Sequence, residues 1–79
     1  MSEQIDAGRC WEELANAIIT QAATDYKKIL RRLKKQPDNP RLSREQVRIE
    51  KFFQSSWFRT LSDLDGRDLM WKIRMEVRA

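Results

Sequence analysis

Apolar residues recur every three or four positions through the first half of the chain, which is the spacing of one face of an α-helix. The stripe starts at Trp11 and ends before QPDNP, where two prolines break any helix. Its members are Trp11, Leu14, Ala15, Ile18, Ile19, Ala22, Tyr26, Ile29, Leu30 and Leu33. The pattern predicts a long first helix with Glu12 and Glu13 in its first turn and bases in its last turn, both favourable to the helix dipole.

A second helix is predicted after QPDNP. Asn39 is a typical N-cap, and Pro40 fits the first helical position. The apolar side of this helix consists of Leu42, Ile49, Phe52 and Phe53. Val47 falls outside that stripe, and the pattern assigns it no role. We expect the helix to end near Ser55, which can cap a short helical turn over residues 57–62.

The aromatic segment FFQSSWF raises the question of a stacking surface for nucleic-acid bases. Such a surface needs basic residues among its rings, and only Lys51 and Arg59 flank this one. Apolar residues at helical spacing continue through it, namely Phe53, Trp57, Leu61 and Leu64. We therefore predict that the segment forms the core at a tight corner.

The last predicted helix follows Asp65, a suitable N-cap, and Gly66, which lets the chain turn closely. One face carries Leu69, Met70, Ile73 and Val77. Trp71 and Met75 lie roughly opposite, so the helix is apolar on two sides. The chain has no strand-type alternation. We predict an all-α fold: a small three-helix bundle with a long first helix, plus a short helical turn before the last helix. Residues 10–79 form one helical domain, and residues 1–9 a flexible N-terminal segment.

Composition argues against catalysis and bound metals. The 79 residues include one cysteine, Cys10, and no histidine, so zinc ligands and the usual base for a nucleophile are missing. DLDGRD superficially resembles a calcium loop, but that alignment places Leu61 and Lys72 at ligand positions. We expect no enzyme activity, no metal and no cofactor.

The N-terminus does not resemble a signal peptide, and the sequence has no apolar run of about 20 residues that could span a bilayer. We expect a soluble protein of the bacterial cytoplasm that does not enter membranes.

Charge is distributed unevenly along the chain. The net charge is −4 over residues 1–26, +7 over residues 27–51 and +1 over residues 52–79. The bases of the middle segment, which we call the basic collar, are Lys27, Lys28, Arg31, Arg32, Lys34, Lys35, Arg41, Arg44, Arg48 and Lys51. These bases could simply be solvated at a helix end, they could bind nucleic-acid phosphates, or they could bind the acidic face of a protein partner. A helix-turn-helix reader is disfavoured, because the short third segment is apolar where such a reader needs polar side chains.

Trp71 and Met75 are the second candidate surface. One possibility is that both side chains are buried within the monomer. The other is that they form an interface together with part of the first helix, which is too long to be covered by the rest of its own chain. The interface hypothesis includes both a homodimer and a partner-binding face.

The segment IEKFFQSSWFRTLSDLDGRDL, residues 49–69, resembles short proteins of unknown function encoded by bacterial phages and integrative elements, with a pattern near IExFFxSxWFxxLxxLDGxxL. The likeness extends over residues 15–74. It implies a mobile-element setting and supplies no site residues. In that setting we expect an interaction protein that binds and inhibits or modulates a host or defence protein, an anti-CRISPR being one form. A nucleic-acid-binding accessory or regulatory protein that uses the basic collar is the alternative.

Overall fold

The computed structural model describes residues 7 to 78, with side chains from residue 11 onward. Over this range the chain forms four helices and no strand: α1 (Ala7–Lys35), α2 (Pro40–Phe53), α3 (Ser56–Leu61) and α4 (Gly66–Arg78). The predicted all-α bundle, with a long first helix and a short helical turn before the last one, is confirmed.

The long helix α1 begins earlier than its apolar stripe. Its start at Ala7 places Glu12 and Glu13 in the second turn, so the prediction of acids in the first turn is wrong. The pattern misses this start because no apolar stripe marks the turn before Trp11. Residues 7–9 of the N-terminal segment that we expect to be flexible therefore belong to α1, and residues 1–6 lie outside the described part. The last turn carries Arg32, Lys34 and Lys35, as predicted.

Side-chain caps set the starts of the next two helices as predicted. The Asn39 side chain accepts hydrogen bonds from the backbone N–H groups of Arg41 and Leu42, at 3.0 and 3.3 Å, and Pro40 is the first residue of α2. At the other end of α2, the Ser55 hydroxyl accepts a hydrogen bond from the backbone of Phe58 at 3.1 Å and so caps α3.

The helix directions follow from the contacts between elements. The loop of residues 36–39 folds α2 back antiparallel to α1, so that Tyr26 of α1 contacts Glu50 and Phe53 of α2. α4 runs parallel to α1, because Arg74 contacts Tyr26 and Val77 contacts Lys34 farther along. α1 contacts all three other helices, and the molecule measures 52 × 23 × 23 Å.

An aromatic cluster at the corner between α2 and α3 forms the centre of the core. Phe53 lies between Tyr26 and Phe58, with ring centroids 5.7 and 5.5 Å away, and Phe52 meets Phe58 edge-on at 5.8 Å. These are favourable separations for tilted and edge-to-face rings. The buried residues around them are Ala15, Ile19, Leu61, Met70 and Ile73. The predicted aromatic core corner is thus present.

Two residues assigned to that core are exposed instead. Trp57 is 50% exposed and Leu64 is 57% exposed, whereas Phe58 is only 1% exposed. The prediction carried one helical period from Phe53 through the corner. However, α2 ends at Phe53 and Ser55 is extended, so α3 starts with a new phase that turns Phe58 and Leu61 inward.

The corner before α4 depends on Gly66. Gly66 is the first residue of α4 and packs against the backbone of Phe53 at the end of α2. A Cβ atom at this position would lie 1.8 Å from the Phe53 carbonyl oxygen. Asp65 caps the helix, since its side chain accepts a hydrogen bond from the Arg67 backbone at 2.9 Å. This corner brings α4 back along α1.

Candidate functional site

The basic collar is distributed around α1 and α2 and does not lie on one flat face. On the α4 side, two of its lysines contact the last helix. Lys27 pairs with Glu76 at 3.2 Å, and the Lys34 ammonium donates a hydrogen bond to the Val77 carbonyl at 2.8 Å. These two bases help to hold α4 against α1, so they contribute to packing as well as to surface charge.

On the other side of α1, the collar borders a groove between the antiparallel helices α1 and α2. Its volume is about 440 Å³. Lys28 and Arg32 of α1 and Arg48 of α2 line it together with the apolar side chains of Ile29 and Ile49. The structure thus brings together bases that lie 16 or more positions apart in the sequence.

The same groove contains two carboxylates that already have partners. Asp25 accepts a hydrogen bond from the Gln21 amide at 2.9 Å. Glu45 is 3.6 Å from the Arg41 guanidinium, one turn away on α2. Neither carboxylate forms an ion pair with the groove bases.

On the outer surface of α2, three bases lie around Val47. Val47 is 49% exposed, and Arg44, Arg48 and Lys51 surround it. The sequence pattern gave this valine no role. Its position shows an apolar side chain in the middle of a cationic surface.

Most of the collar is available to a ligand. Within the described residues, seven of its ten members form no ion pair and no side-chain hydrogen bond: Lys28, Arg31, Arg32, Lys35, Arg44, Arg48 and Lys51. Such unpaired bases on adjacent helices create a positive field toward solvent.

The Trp71 and Met75 pair, which we call the α4 outer face, is exposed. Trp71 is 60% exposed and Met75 is 41% exposed, while Met70, Ile73 and Val77 are buried on the opposite side of α4. This excludes burial of both sides of α4 inside the monomer. Trp71 and Met75 form an apolar surface that is open to solvent, and the interface hypothesis for it stays a prediction.

A second exposed apolar patch lies toward the N-terminal end of α1 and was not predicted as a site. The Trp11 and Trp57 rings meet edge-on with centroids 6.3 Å apart, and Leu14 lies one turn farther along α1. All three side chains are more than two-fifths exposed. The part of the α1 stripe that its own chain leaves uncovered is therefore this end. In the sequence, the only indication of this uncovered end is that the first helix is longer than the helices that pack against it.

A polar network joins three helices inside the bundle. The Tyr26 hydroxyl donates a hydrogen bond to Glu50 Oε2 at 2.7 Å, and the Gln46 amide donates to the same oxygen at 2.9 Å. Arg74 of α4 donates to the Tyr26 hydroxyl at 2.8 Å and also to Glu50. The one polar atom of the fully buried Tyr26 side chain is thereby satisfied.

The network has a fixed charge state near neutral pH. Burial raises the pKa of Tyr26 to about 12, and its hydrogen bond to Glu50 acts in the same direction. Burial alone would raise the pKa of Glu50, but the hydrogen bonds from Tyr26, Arg74 and Gln46 outweigh it and lower that pKa. The hydrogen bonds to Glu50 and Tyr26 raise the pKa of Arg74. Each shift favours the charge state that its group ordinarily has near pH 7, which is consistent with a structural role.

Within residues 7 to 78, no group of three or more histidine, cysteine, aspartate or glutamate side chains is arranged to hold a metal ion. Over the same range, no helix has both the length and the apolar character needed to cross a bilayer.

Comparison with known proteins adds no relative. No family model, no curated protein and no solved structure matches the sequence.

Proposed function

We propose that this chain is a non-catalytic interaction protein of a phage or another mobile element. In this proposal it binds and inhibits or modulates a host or defence protein complex, as anti-CRISPR proteins do. The mobile-element setting rests on the resemblance of residues 49–69 described above. The protein-binding activity is supported by the exposure of the α4 outer face, where Trp71 is 60% in solvent.

The exposure of Trp71 is important because a tryptophan that becomes buried in an interface can contribute strongly to the binding free energy. Tryptophan is enriched among the few interface residues whose truncation costs about 2 kcal/mol or more. Methionine, the neighbour of Trp71 one turn along, is also enriched at interfaces. A helix that buries three side chains in its own core and presents Trp71 and Met75 to solvent is suited to contact a second protein.

Capture from a bacterial host lysate tests the proposal. The tagged chain is expected to retain a defined host protein, and Trp71→Ala is expected to weaken the affinity for it about thirtyfold, which corresponds to about 2 kcal/mol. Leu64→Ala is the matched control, because Leu64 is also exposed and apolar but lies outside the α4 outer face. Equal capture by Trp71→Ala, with circular dichroism showing an unchanged fold, would contradict the assignment of this face.

The second candidate is a nucleic-acid-binding accessory or regulatory protein. It is favoured by the seven unpaired bases of the collar. If about five of them contact phosphates of duplex DNA, the logarithm of the binding constant should fall against the logarithm of salt concentration with a slope of about −4 to −5. Arg31→Glu combined with Lys35→Glu should then weaken binding and flatten this slope.

Fluorescence anisotropy with a labelled duplex at several salt concentrations measures both quantities. Undetectable binding at low salt would remove the nucleic-acid candidate. The same double variant also belongs in the capture experiment, where a loss of the host protein would assign this part of the collar to the protein partner.

A further inference from the structure

This inference rests on the proposed function and names the kind of partner. Positively charged side chains that form no ion pair line the groove between α1 and α2. Its two carboxylates, Asp25 and Glu45, are already engaged by Gln21 and Arg41. The other charged groups that line it are three cations that form no ion pair within the described chain: Lys28, Arg32 and Arg48.

The spacing of these cations matches that of acidic side chains on a helix. Lys28 and Arg32 are one turn apart on α1, about 6 Å along its axis, and Arg48 faces them from α2. Two carboxylates four residues apart on a partner helix have the same separation. Each could then meet one base of α1 while the partner helix lies along the groove.

The groove and its border also contain apolar surface. Ile29 and Ile49 line the groove, and Arg48, which belongs to it, also borders the exposed Val47. A ligand that fits both properties carries acidic and apolar side chains on adjacent stripes. We propose that this groove receives an acidic amphipathic helix of the partner protein, as in other helix-in-groove complexes.

Duplex DNA fits the same groove less well. Its phosphates repeat along a rigid backbone, and some would approach Asp25 and Glu45, which repel them. A peptide helix can present neutral side chains at those points. Contact with a phosphate would not stabilise the exposed Val47 side chain, whereas an apolar side chain of a partner would remove it from water and so favour binding.

Nuclear magnetic resonance titration of the ¹⁵N-labelled full chain tests the proposal. The probe is a synthetic 18-residue helical peptide with glutamates four positions apart and leucines on the adjacent stripe. A peptide of the same composition in shuffled order and a short DNA duplex are the comparison ligands. We expect backbone shifts concentrated around Lys28, Arg32, Val47 and Arg48, and binding of the shuffled peptide at least five times weaker.

Charge-reversal variants identify the contacts. Arg32→Glu with Arg48→Glu should weaken binding of the helical peptide tenfold or more. Arg59→Glu with Arg67→Glu changes the net charge equally at exposed positions outside the groove, so it should change binding less than twofold. If the first pair lowers the helix content, Arg32→Gln with Arg48→Gln replaces it.

Several outcomes would overturn the proposal: shifts outside the groove, no binding at millimolar peptide, or equal binding of the shuffled peptide. Tighter binding of the duplex at the same residues would assign the groove to nucleic acid. The capture experiment tests the proposed function independently of this titration. Capture that depends on Trp71 without peptide binding would contradict only the groove proposal, and peptide binding without such capture would contradict only the proposed function.

Discussion

At the scale of single residues, Gly66 determines whether α4 can return along the bundle. An added Cβ would lie 1.8 Å from the Phe53 carbonyl oxygen, and that carbonyl is backbone that cannot rotate away like a side chain. We expect Gly66→Ala to lower the free energy of unfolding by about 1–3 kcal/mol or more. Urea unfolding followed by circular dichroism measures this change.

The matched control for this change is Gly8→Ala, at the only other glycine of the chain, which lies within α1. Gly8 is the second residue of α1, and alanine is favoured over glycine by at most about 1 kcal/mol in a helix, so this variant should be unchanged or slightly more stable. Equal losses at both positions would show that the close approach at Phe53 is not the cause.

Tyr26 makes stability depend on pH at the alkaline end. Its pKa is raised from 10.0 in the unfolded chain to about 12 in the folded one, so the folded state holds the proton more strongly. The resulting stabilisation is complete below pH 10 and is lost as the pH rises from about 10 to 12. A shift of two pKa units corresponds to about 2–3 kcal/mol.

Urea unfolding at pH 8 and pH 11 tests this dependence, with Tyr26→Phe as the reference that lacks the ionising group. The wild-type chain should lose more stability between the two pH values than the variant does. Because Tyr26 is the only tyrosine, its ultraviolet absorbance reports its titration directly. A folded-state midpoint near pH 10 would contradict the prediction.

The Tyr26 network also shows where single-residue prediction fails. Gln46 and Glu50 are four residues apart beside the apolar stripe of α2, which is a signal for polar groups at a helix interface. The sequence does not indicate that Arg74 reaches them from α4, because that contact depends on how the helices pack. Trp57 was misplaced for a related reason, since the phase of a helix does not continue through a corner.

At the scale of elements, Ser55 joins two helices through one hydroxyl group. It donates a hydrogen bond to the Phe52 carbonyl at 2.6 Å and accepts one from the Phe58 backbone at 3.1 Å. Ser55→Ala should lower the free energy of unfolding by about 1 kcal/mol, the usual effect of losing an N-cap. The exposed neighbour Ser56 makes no side-chain hydrogen bond that caps α3, so Ser56→Ala should change stability by less than half as much.

Thermal unfolding of the two serine variants compares them under one condition. A loss at Ser56 as large as that at Ser55 would mean that the cap does not define the corner.

Helix order and most boundaries were predictable because local chemistry determines them. Asn39, Ser55 and Asp65 each cap the helix that the sequence assigned to them. The start of α1 was not predictable from amphipathic pattern, because the turn that precedes Trp11 has no apolar stripe to mark it.

At the scale of the whole molecule, a homodimer formed through the α4 outer face stays a prediction, which the exposure of Trp71 and Met75 supports. Trp71 and Met75 would then be covered by the same residues of the other copy across a two-fold axis. Sedimentation equilibrium at high micromolar concentration should show dimers, and Trp71→Ala should weaken their association about thirtyfold. A strict monomer at that concentration would remove the homodimer and leave the face to a different partner.

The candidate surfaces were predictable in composition but only partly in arrangement. A run of bases and an unmatched tryptophan are visible in the sequence. Which bases remain unpaired is a tertiary property, because Lys27 and Lys34 are engaged by a helix that lies more than 30 residues away.

The parallel course of α1 and α4 has a consequence for how this surface can change. The carbonyl ends of both helices emerge at one pole of the molecule, close enough for Lys34 to reach Val77, and only the amide end of α2 opposes them there. Bases at that pole therefore offset the fold's own dipoles besides meeting any ligand. Replacing one of these bases with a neutral residue would therefore remove about 0.3–1 kcal/mol of helix-dipole stabilisation as well as surface charge.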